Sequence, residues 1–386
     1  MQDNLMLIHG GGPTVVINAS LYGAIRQAQA ERGVGRILAA IGGTGGLLQG
    51  HVRDLTDLPE SDIEGLLATP GSAIGTSRDA LEAADYPRMA ERCREMGVRW
   101  VLMNGGNGTM DACGRLARAC QGLNIGVIGI PKTMDNDLAV TDHAPGFGSA
   151  ARYMAQSVAE LAADVQGLPI HVVVMEACGR NAGWVTASSA LARQAGVDGP
   201  DLIYLPERPF EEEAFLADVE ALLGRKRGLV VVASEGLTGP GGKPLVPPVF
   251  QAGRATYFGD VSAHLAQLVI RRLGYKARSE KPGLLSRCSM VHVSPVDRAE
   301  AVLAGREAVR AALRGETARM VTLLRAEGDP YRVQLGLTDV REVMLHERKL
   351  PDAFINERGN GVTEDFCRWC APLIGPALPR LVSLRG

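Results

Sequence analysis

Val98-Arg99-Trp100-Val101-Leu102-Met103-Asn104-Gly105-Gly106-Asn107-Gly108-Thr109 begins as an apolar run and closes on glycines. The run has the length of a strand buried on both faces, the glycines mark a tight turn, and residues 111–120 beyond it space their apolar side chains as a helix does. Strand, glycine turn and helix in that order are the repeating unit of a parallel α/β sheet. The unit recurs: short apolar runs at 5–9, 36–41, 98–103, 125–130, 170–175, 202–205 and 229–233 alternate with helical patterns at 17–32, 80–96, 111–120 and 182–195. The sequence therefore predicts an α/β fold with mostly parallel sheets, covered on both faces and binding ligands beyond the carboxyl ends of the strands. The pattern restarts near Ile170 with strand, Gly179-Arg180 turn and helix, which predicts a second lobe.

Glycines stand where that rule wants them. Gly10-Gly11-Gly12-Pro13 follows the first strand, Gly42-Gly43-Thr44-Gly45-Gly46 the second, and Gly105 to Gly108 and Pro131-Lys132 two later ones. Any one such run serves equally as a plain turn, but four on one rim favour a phosphate site. Bare backbone lets N–H groups approach a polyanion, and a helix starting near Thr109 aims its positive end there. Pro131-Lys132-Thr133-Met134-Asp135-Asn136-Asp137 supplies the other half. A carboxylate beside an acceptor hydroxyl can take its proton while lysine and glycine amides hold the moving phosphoryl charge. The plain alternative, an Asp/Asn turn held by local hydrogen bonds, is weakened by the neighbouring glycines.

The remaining sequence narrows the class. At 386 residues and 46% apolar content the chain can bury two or three cores, and 41 basic against 43 acidic residues, a net −2, call for neither nucleic acid nor an anionic membrane surface. No apolar run approaches a membrane span, and Met1-Gln2-Asp3-Asn4 has neither the basic start nor the apolar core of a signal peptide, so a cytoplasmic protein is expected. Seven scattered cysteines read as reduced thiols, and Cys367 with Cys370 as two thiols on a terminal helix. No G-x-x-x-x-G-K-[ST] occurs, since Gly242-Lys243-Pro244 lacks the hydroxyl, and no G-x-G-x-x-G follows the first strand. Residues 236–243 read as a surface loop.

At these residues the chain resembles the phosphofructokinases, which transfer phosphate from ATP or pyrophosphate to carbon 1 of fructose 6-phosphate. The shared motifs run in order through Gly11-Gly12-Pro13-Thr14, Gly75-Thr76-Ser77-Arg78, Gly105 to Thr109, Pro131 to Asp137, Met175-Glu176-Ala177-Cys178-Gly179-Arg180-Asn181-Ala182-Gly183-Trp184, Ser234-Glu235-Gly236 and Pro372-Leu373-Ile374-Gly375. The resemblance implies two Rossmann-like lobes: residues 1–145 with about 286–336 for the donor, and 146–285 with 337–386 for the sugar phosphate. It implies Asp135 as the base, with Lys132, Thr133 and Asp137 beside it. Gly11, Arg78, Gly106, Asn107, Gly108 and Thr109 would hold the donor phosphates with Mg²⁺. His171, Cys178, Gly179, Arg180 and Glu235 would line the acceptor site, with Arg278 and Arg287 on the 6-phosphate. Guanidinium forks suit phosphate geometry.

Several positions depart from the family pattern. Lys132 is typical of pyrophosphate users and Gly108 of ATP users, and the balance leans to ATP because a missing carboxylate leaves room for the nucleotide. Asn107 stands where an aspartate usually meets Mg²⁺, which makes it a weak metal ligand. His171 replaces an arginine, Cys178 a methionine and Leu284 a polar phosphate contact, so sedoheptulose 7-phosphate or another sugar stays open as acceptor, and His171 can equally be a satisfied strand histidine. A pyrophosphate enzyme and a sugar-phosphate sensor without catalysis are the alternatives. The resemblance also implies a homo-oligomer, dimer or tetramer.

Overall fold

The structure, a computed structural model, describes residues 3–168, 170–252, 255–257, 259–344 and 346–384. Its strands are β1 (Asp3–His9), β2 (Val34–Ala40), β3 (Val52–Asp54), β4 (Val98–Gly105), β5 (Gly126–Pro131), β6 (Val172–Ala177), β7 (Leu202–Tyr204), β8 (Leu229–Ser234), β9 (Phe250–Ala252), β10 (Ala255–Tyr257), β11 (Ala277–Glu280), β12 (Arg319–Arg325) and β13 (Val333–Asp339). They divide between two compact units. Residues 1–147 and 287–348 form the first; 148–286 and 349–386 form the second. The return crossing was expected after 336 and falls at 348, because β13 pairs with β12 over its whole length and the Arg348 N–H donates to Asp137 O at 2.8 Å.

The first unit is built on a seven-stranded sheet in the order β13-β12-β5-β4-β1-β2-β3. β5, β4, β1 and β2 are mutually parallel neighbours; only β3 and β13 run against them. Successive side chains of a strand point to opposite faces, so β1 sends Met6 and Ile8 into one core and Leu5 and Leu7 into another. Helices Asp85–Glu95 and Asn107–Ala119 cover the first face. On the second, helices Ile17–Ala30 and Pro295–Leu313 pack against each other backbone to backbone: a Cβ on Gly23 would lie 2.1 Å from Val302 O, and one on Gly305 2.0 Å from Ser20 O. No larger residue fits that crossing.

In the second unit β11-β6-β8-β7 form a parallel sheet whose Val172, Val174, Leu229 and Val231 meet Phe215 and Leu265 of helices Glu212–Leu223 and Val261–Leu273. Two sequence expectations shift. The helix predicted over 80–96 begins only at Asp85, and the one after β4 begins at Asn107, inside the glycine run, with Gly106 as its extended N-cap. All seven cysteines are free thiols, and Cys367 and Cys370 lie on helix Glu364–Cys370. Met1 and Gln2 of the opening stretch lie outside the described residues. Among those described, no helix is long and apolar enough to cross a membrane.

Candidate active site

Three neighbouring strands of the first unit end on the segments singled out above: β1 on Gly10 to Gly12, β4 on Gly105 to Asn107, β5 on Lys132 to Asp137. Thr109 explains how two of these approach so closely. A Cβ would lie 2.4 Å from its Oγ1 if placed on Gly10 and 2.0 Å if placed on Gly105. Thr109, predicted on the donor, thus has its side chain wedged between two strand ends. The N–H groups opening helix Asn107–Ala119 have no partner within the helix and form an anion-seeking end. Beside them Gly108 is open, with nothing within 4 Å of a Cβ placed there.

Cations gather over Gly11 and Gly12. Lys132 is 4% exposed; its Nζ donates to Gly12 O at 2.5 Å and lies 3.6 Å from a Cβ placed on Gly11. A Cβ on Gly12 would sit 2.9 Å from Arg287 Nη1 and 3.1 Å from Arg78 Nη2. Arg287, predicted at the sugar 6-phosphate, therefore stands with Lys132 and Arg78. Burial lowers the Lys132 pKa to about 8, with Arg78 and Arg287 pushing the same way against Asp135 and Asp137.

The loop carrying Arg78 is fixed to the same edge by its own motif residues and by Asp79, which motif reading passed over. Gly11 N–H donates to Ser77 O at 2.8 Å and the Thr76 hydroxyl to Gly11 O at 2.7 Å. Burial acts to raise the Asp79 carboxyl, but hydrogen bonds from Ser77, Thr44 and the Gly45 N–H outweigh it and hold it below its ordinary value. His9 lies 2.7 Å from Ser72 Oγ through Nδ1; burial, then Lys132, drive its pKa down to about 3, so it is a neutral strut. A histidine next to a triple glycine was the available signal for it; nothing in the sequence marked Asp79.

The turn after β5 is held rigidly. The Thr133 hydroxyl donates to Asp137 Oδ1 at 2.9 Å and accepts from the Asp135 N–H at 3.0 Å. Asn107 Nδ2 donates to Asp137 Oδ2 at 3.0 Å, while its Oδ1 is buried with no hydrogen-bond partner among the described residues. Between the aspartates, Asn136 takes a left-handed φ of 55°. An orphaned amide oxygen beside Asp137, on the turn that also carries Asp135, offers hard oxygen ligands, which fits a magnesium ion that takes its other ligands from phosphate and water. Among the described residues no group of three or more His, Cys, Asp or Glu could hold a metal alone.

In the second unit Glu235 Oε1 accepts from the N–H groups of Gly179 and Arg180, each at 3.2 Å. Those residues have φ of 139° and 51°, which turns consecutive N–H groups toward one anion. Gly236 is required there, since a Cβ would lie 1.7 Å from Arg180 O. Cys178 adjoins this group, its Sγ 3.7 Å from Gly283 O. His171 and Arg278 do not join it. His171 precedes β6, accepts from the Lys276 N–H at 3.1 Å and meets Tyr275 edge-on at 5.3 Å; Arg278 pairs with Val173. Both are at the end of β6 away from Gly179, about 20 Å along the strand.

A buried lysine and two arginines over bare backbone, a helix N-terminus and a carboxylate-bearing turn on adjoining strands are what phosphoryl transfer to a hydroxyl requires, and they define a phosphotransferase. The sequence pattern of the family described as Phosphofructokinase matches residues 4–312. A pyrophosphate–fructose 6-phosphate 1-phosphotransferase of Xanthomonas campestris pv. campestris is 39% identical, with 99% of this chain and 96% of that protein covered. A sulfofructose kinase of Alkalicoccus urumqiensis is 34% identical over 90% of this chain and 91% of its own length. The crystal structure of a pyrophosphate-dependent phosphofructokinase from Nitrosospira multiformis superposes with a TM-score of 0.89 at 32% identity, covering 99% of this chain and 94% of that one. The chain belongs to the phosphofructokinase family.

Proposed function

We propose that the protein transfers a phosphoryl group from pyrophosphate to the 1-hydroxyl of fructose 6-phosphate, with Mg²⁺. The observation that carries this donor is Lys132: a buried ammonium over Gly11 and Gly12, joined by Arg78 and Arg287, is charge placed for an inorganic polyanion. The Xanthomonas and Nitrosospira proteins, both pyrophosphate enzymes by name, support it and move the balance away from the ATP lean that Gly108 suggested.

In this reading Asp135 takes the proton of the acceptor hydroxyl. The hydroxyl oxygen forms a bond to the terminal phosphorus, the bridging P–O bond breaks, and orthophosphate leaves. Lys132, Arg78, Arg287 and the N–H groups of Gly106, Asn107 and Gly108 hold the donor oxygens over the bare backbone of Gly11, while Thr133 and Asn107 keep Asp137 in place. Asn107 Oδ1, Asp135 and Asp137 would hold the magnesium ion, which supplies neutralisation of phosphate charge. Glu235 and the Gly179-Arg180 turn bind the sugar, beside Cys178. The distance of His171 and Arg278 from that turn suits a homo-oligomer in which one copy lends them to another.

Sulfofructose is a second reading of the acceptor. It is favoured by the Alkalicoccus relative and by neutral Cys178 and Leu284, since a singly charged sulfonate needs fewer cations than a phosphate. A matrix of pyrophosphate and ATP against fructose 6-phosphate, sulfofructose and sedoheptulose 7-phosphate tests both. Turnover with pyrophosphate and fructose 6-phosphate is expected, lowered about 10³-fold in kcat by Asp135→Ser with little change in acceptor KM. Activity with ATP alone overturns the donor, and a variant still fast overturns the base.

A further inference from the structure

Behind the Asp135 turn, in the same unit, lies a group of buried charges that the roles above leave unused. His143 is 1% exposed, with Nδ1 2.9 Å from Asp142 Oδ2 and Nε2 2.7 Å from Glu300 Oε2. The Tyr331 hydroxyl donates to Glu300 Oε1 at 2.6 Å and lies 3.3 Å from His143 Nε2. Arg325 approaches Asp142 Oδ2 at 3.3 Å and stacks 4.6 Å above the Tyr331 ring, and Arg348 Nη1 donates to Asp142 O at 2.7 Å. A neutral imidazole has one N–H and would turn a lone pair toward one of the two carboxylates. Only the imidazolium donates to both.

The residues after His143 grip the turn. Ala144 N–H donates to Asn136 Oδ1 at 3.1 Å, which fixes the left-handed residue between the two aspartates. Thr133 N–H donates to Pro145 O at 3.2 Å. Gly146 N–H donates to Asp297 Oδ1 at 2.8 Å, and Asp297 lies three residues before Glu300 on helix Pro295–Leu313. Residues 143–146 thus form a strap, bound to one helix at both ends and holding the turn along its length. We propose that the His143 imidazolium, clamped between Asp142 and Glu300, is a positioning residue that sets the register of this strap and through it the placement of Asp135. Buried ion clusters add little to stability compared with apolar packing, and their better-attested use is to fix one arrangement. A reacting carboxylate displaced by about 1 Å loses on the order of 10² in rate.

The charge state agrees with this arrangement. Burial disfavours the imidazolium, but hydrogen bonds to Asp142 and Glu300 outweigh it and push His143 up to about 9. Tyr331 is shifted upward by burial and by Glu300, and stays a neutral donor.

The inference rests on the assignment of Asp135 as base, and the test separates the two. Tyr331→Phe, Glu300→Gln and His143→Gln are compared for kcat, both substrate KM values, melting temperature and the ring ¹⁵N signals of His143. Expected are kcat losses of about 2–5-fold for Y331F and about 10–100-fold for E300Q, with KM values within about threefold, scaled from the misplacement cost. The His143 ring should carry two protons at pH 8, and E300Q should bring its titration down and give kcat a new pH dependence between about 6 and 8. A lowered melting temperature with unchanged kcat, or a wild-type ring with one proton at pH 7.5, overturns the proposal. Should H143Q fail to fold, the half-buried Tyr331 still gives the reading. If Asp135→Ser stays active the base assignment fails; if it is dead while E300Q is fully active, only the strap does.

Discussion

Lys132→Met should make the unliganded protein more stable and a poorer enzyme. Burial takes the Lys132 ammonium from its ordinary 10.5 to about 8, so 10.5 − 8 = 2.5 pH units separate unfolded and folded states. At 1.36 kcal/mol per unit that is a cost of about 3 kcal/mol for holding the charge inside. The folded value is the lower one, so the cost is fully present below pH 8 and is relieved as pH rises from 8 toward 10.5. Methionine removes the charge, keeps most of the volume, and gives up the ammonium's hydrogen bond to Gly12 O, worth about 2 kcal/mol for a charged donor. The balance is a gain of about 1 kcal/mol at pH 7, or about 2–4 °C for a unit of this size.

Thermal melts of both proteins at pH 7 and pH 9.5, with and without pyrophosphate, check the reasoning. The methionine chain should melt higher at pH 7, the gap should shrink at pH 9.5, and pyrophosphate should raise the wild-type melt far more than the variant's. In kinetics, donor kcat/KM of the wild type should fall as pH passes 8 and the free enzyme loses its ammonium, a limb absent from the variant. A lower melt for the variant at pH 7, or a gap that widens with pH, refutes the argument that the cation is held at a cost for its ligand.

Gly10→Ala should lose about 1–3 kcal/mol by overpacking against Thr109 Oγ1, 2.4 Å from the new Cβ, and Thr109→Ala should restore much of it because the two nearest atoms, Oγ1 and Cγ2 at 3.1 Å, are then gone and Cβ stands at 3.3 Å; urea midpoints of the two single variants and the double decide this. Lys281→Met removes the partner 2.7 Å from Glu176, a carboxylate already raised by burial. The loss should be about 1–3 kcal/mol at pH 8 and should close toward pH 5, since a group whose folded pKa is raised destabilises only while it must ionise; denaturation at the two pH values reads it.

The sequence made the α/β alternation and the donor-side turns legible for a physical reason: strands buried on both faces are continuous apolar runs, and backbone meeting an anion demands glycine. β1, β4, β5, β6 and β8 all lie under the predicted runs. β12 and β13 escaped because both begin or end on charged residues and β13 is half-solvated, with Gln334 exposed between partly buried neighbours. The helix over 80–96 was drawn too long because its apolar spacing continues through Leu81, whereas Asp79 pins the chain just before it to the Gly45 loop. Arg287 shows another limit: a motif gives the order of residues along the chain, and the approach of its guanidinium to Gly12 depends on a side-chain rotamer that order does not encode. His143, Glu300 and Tyr331 are spread over 189 residues, from 143 to 331, so no local pattern could join them.

Charge bookkeeping also bears on the donor. Asp135 and Asp137 follow Lys132 by three and five residues, and both pull its pKa upward against burial and the two arginines. One short segment therefore holds a cation and the anions that favour its charge. A donor with no base or ribose has only its charge to bind by, and must draw its affinity from Lys132, Arg78, Arg287 and the backbone amides. A nucleotide could recover part of its binding from a surface such as the open one beside Gly108. The loss of Lys132 should then cost a pyrophosphate enzyme more in donor kcat/KM than it costs an enzyme that also grips an adenosine, so the same substitution that stabilises the fold also reports which donor the site was shaped around.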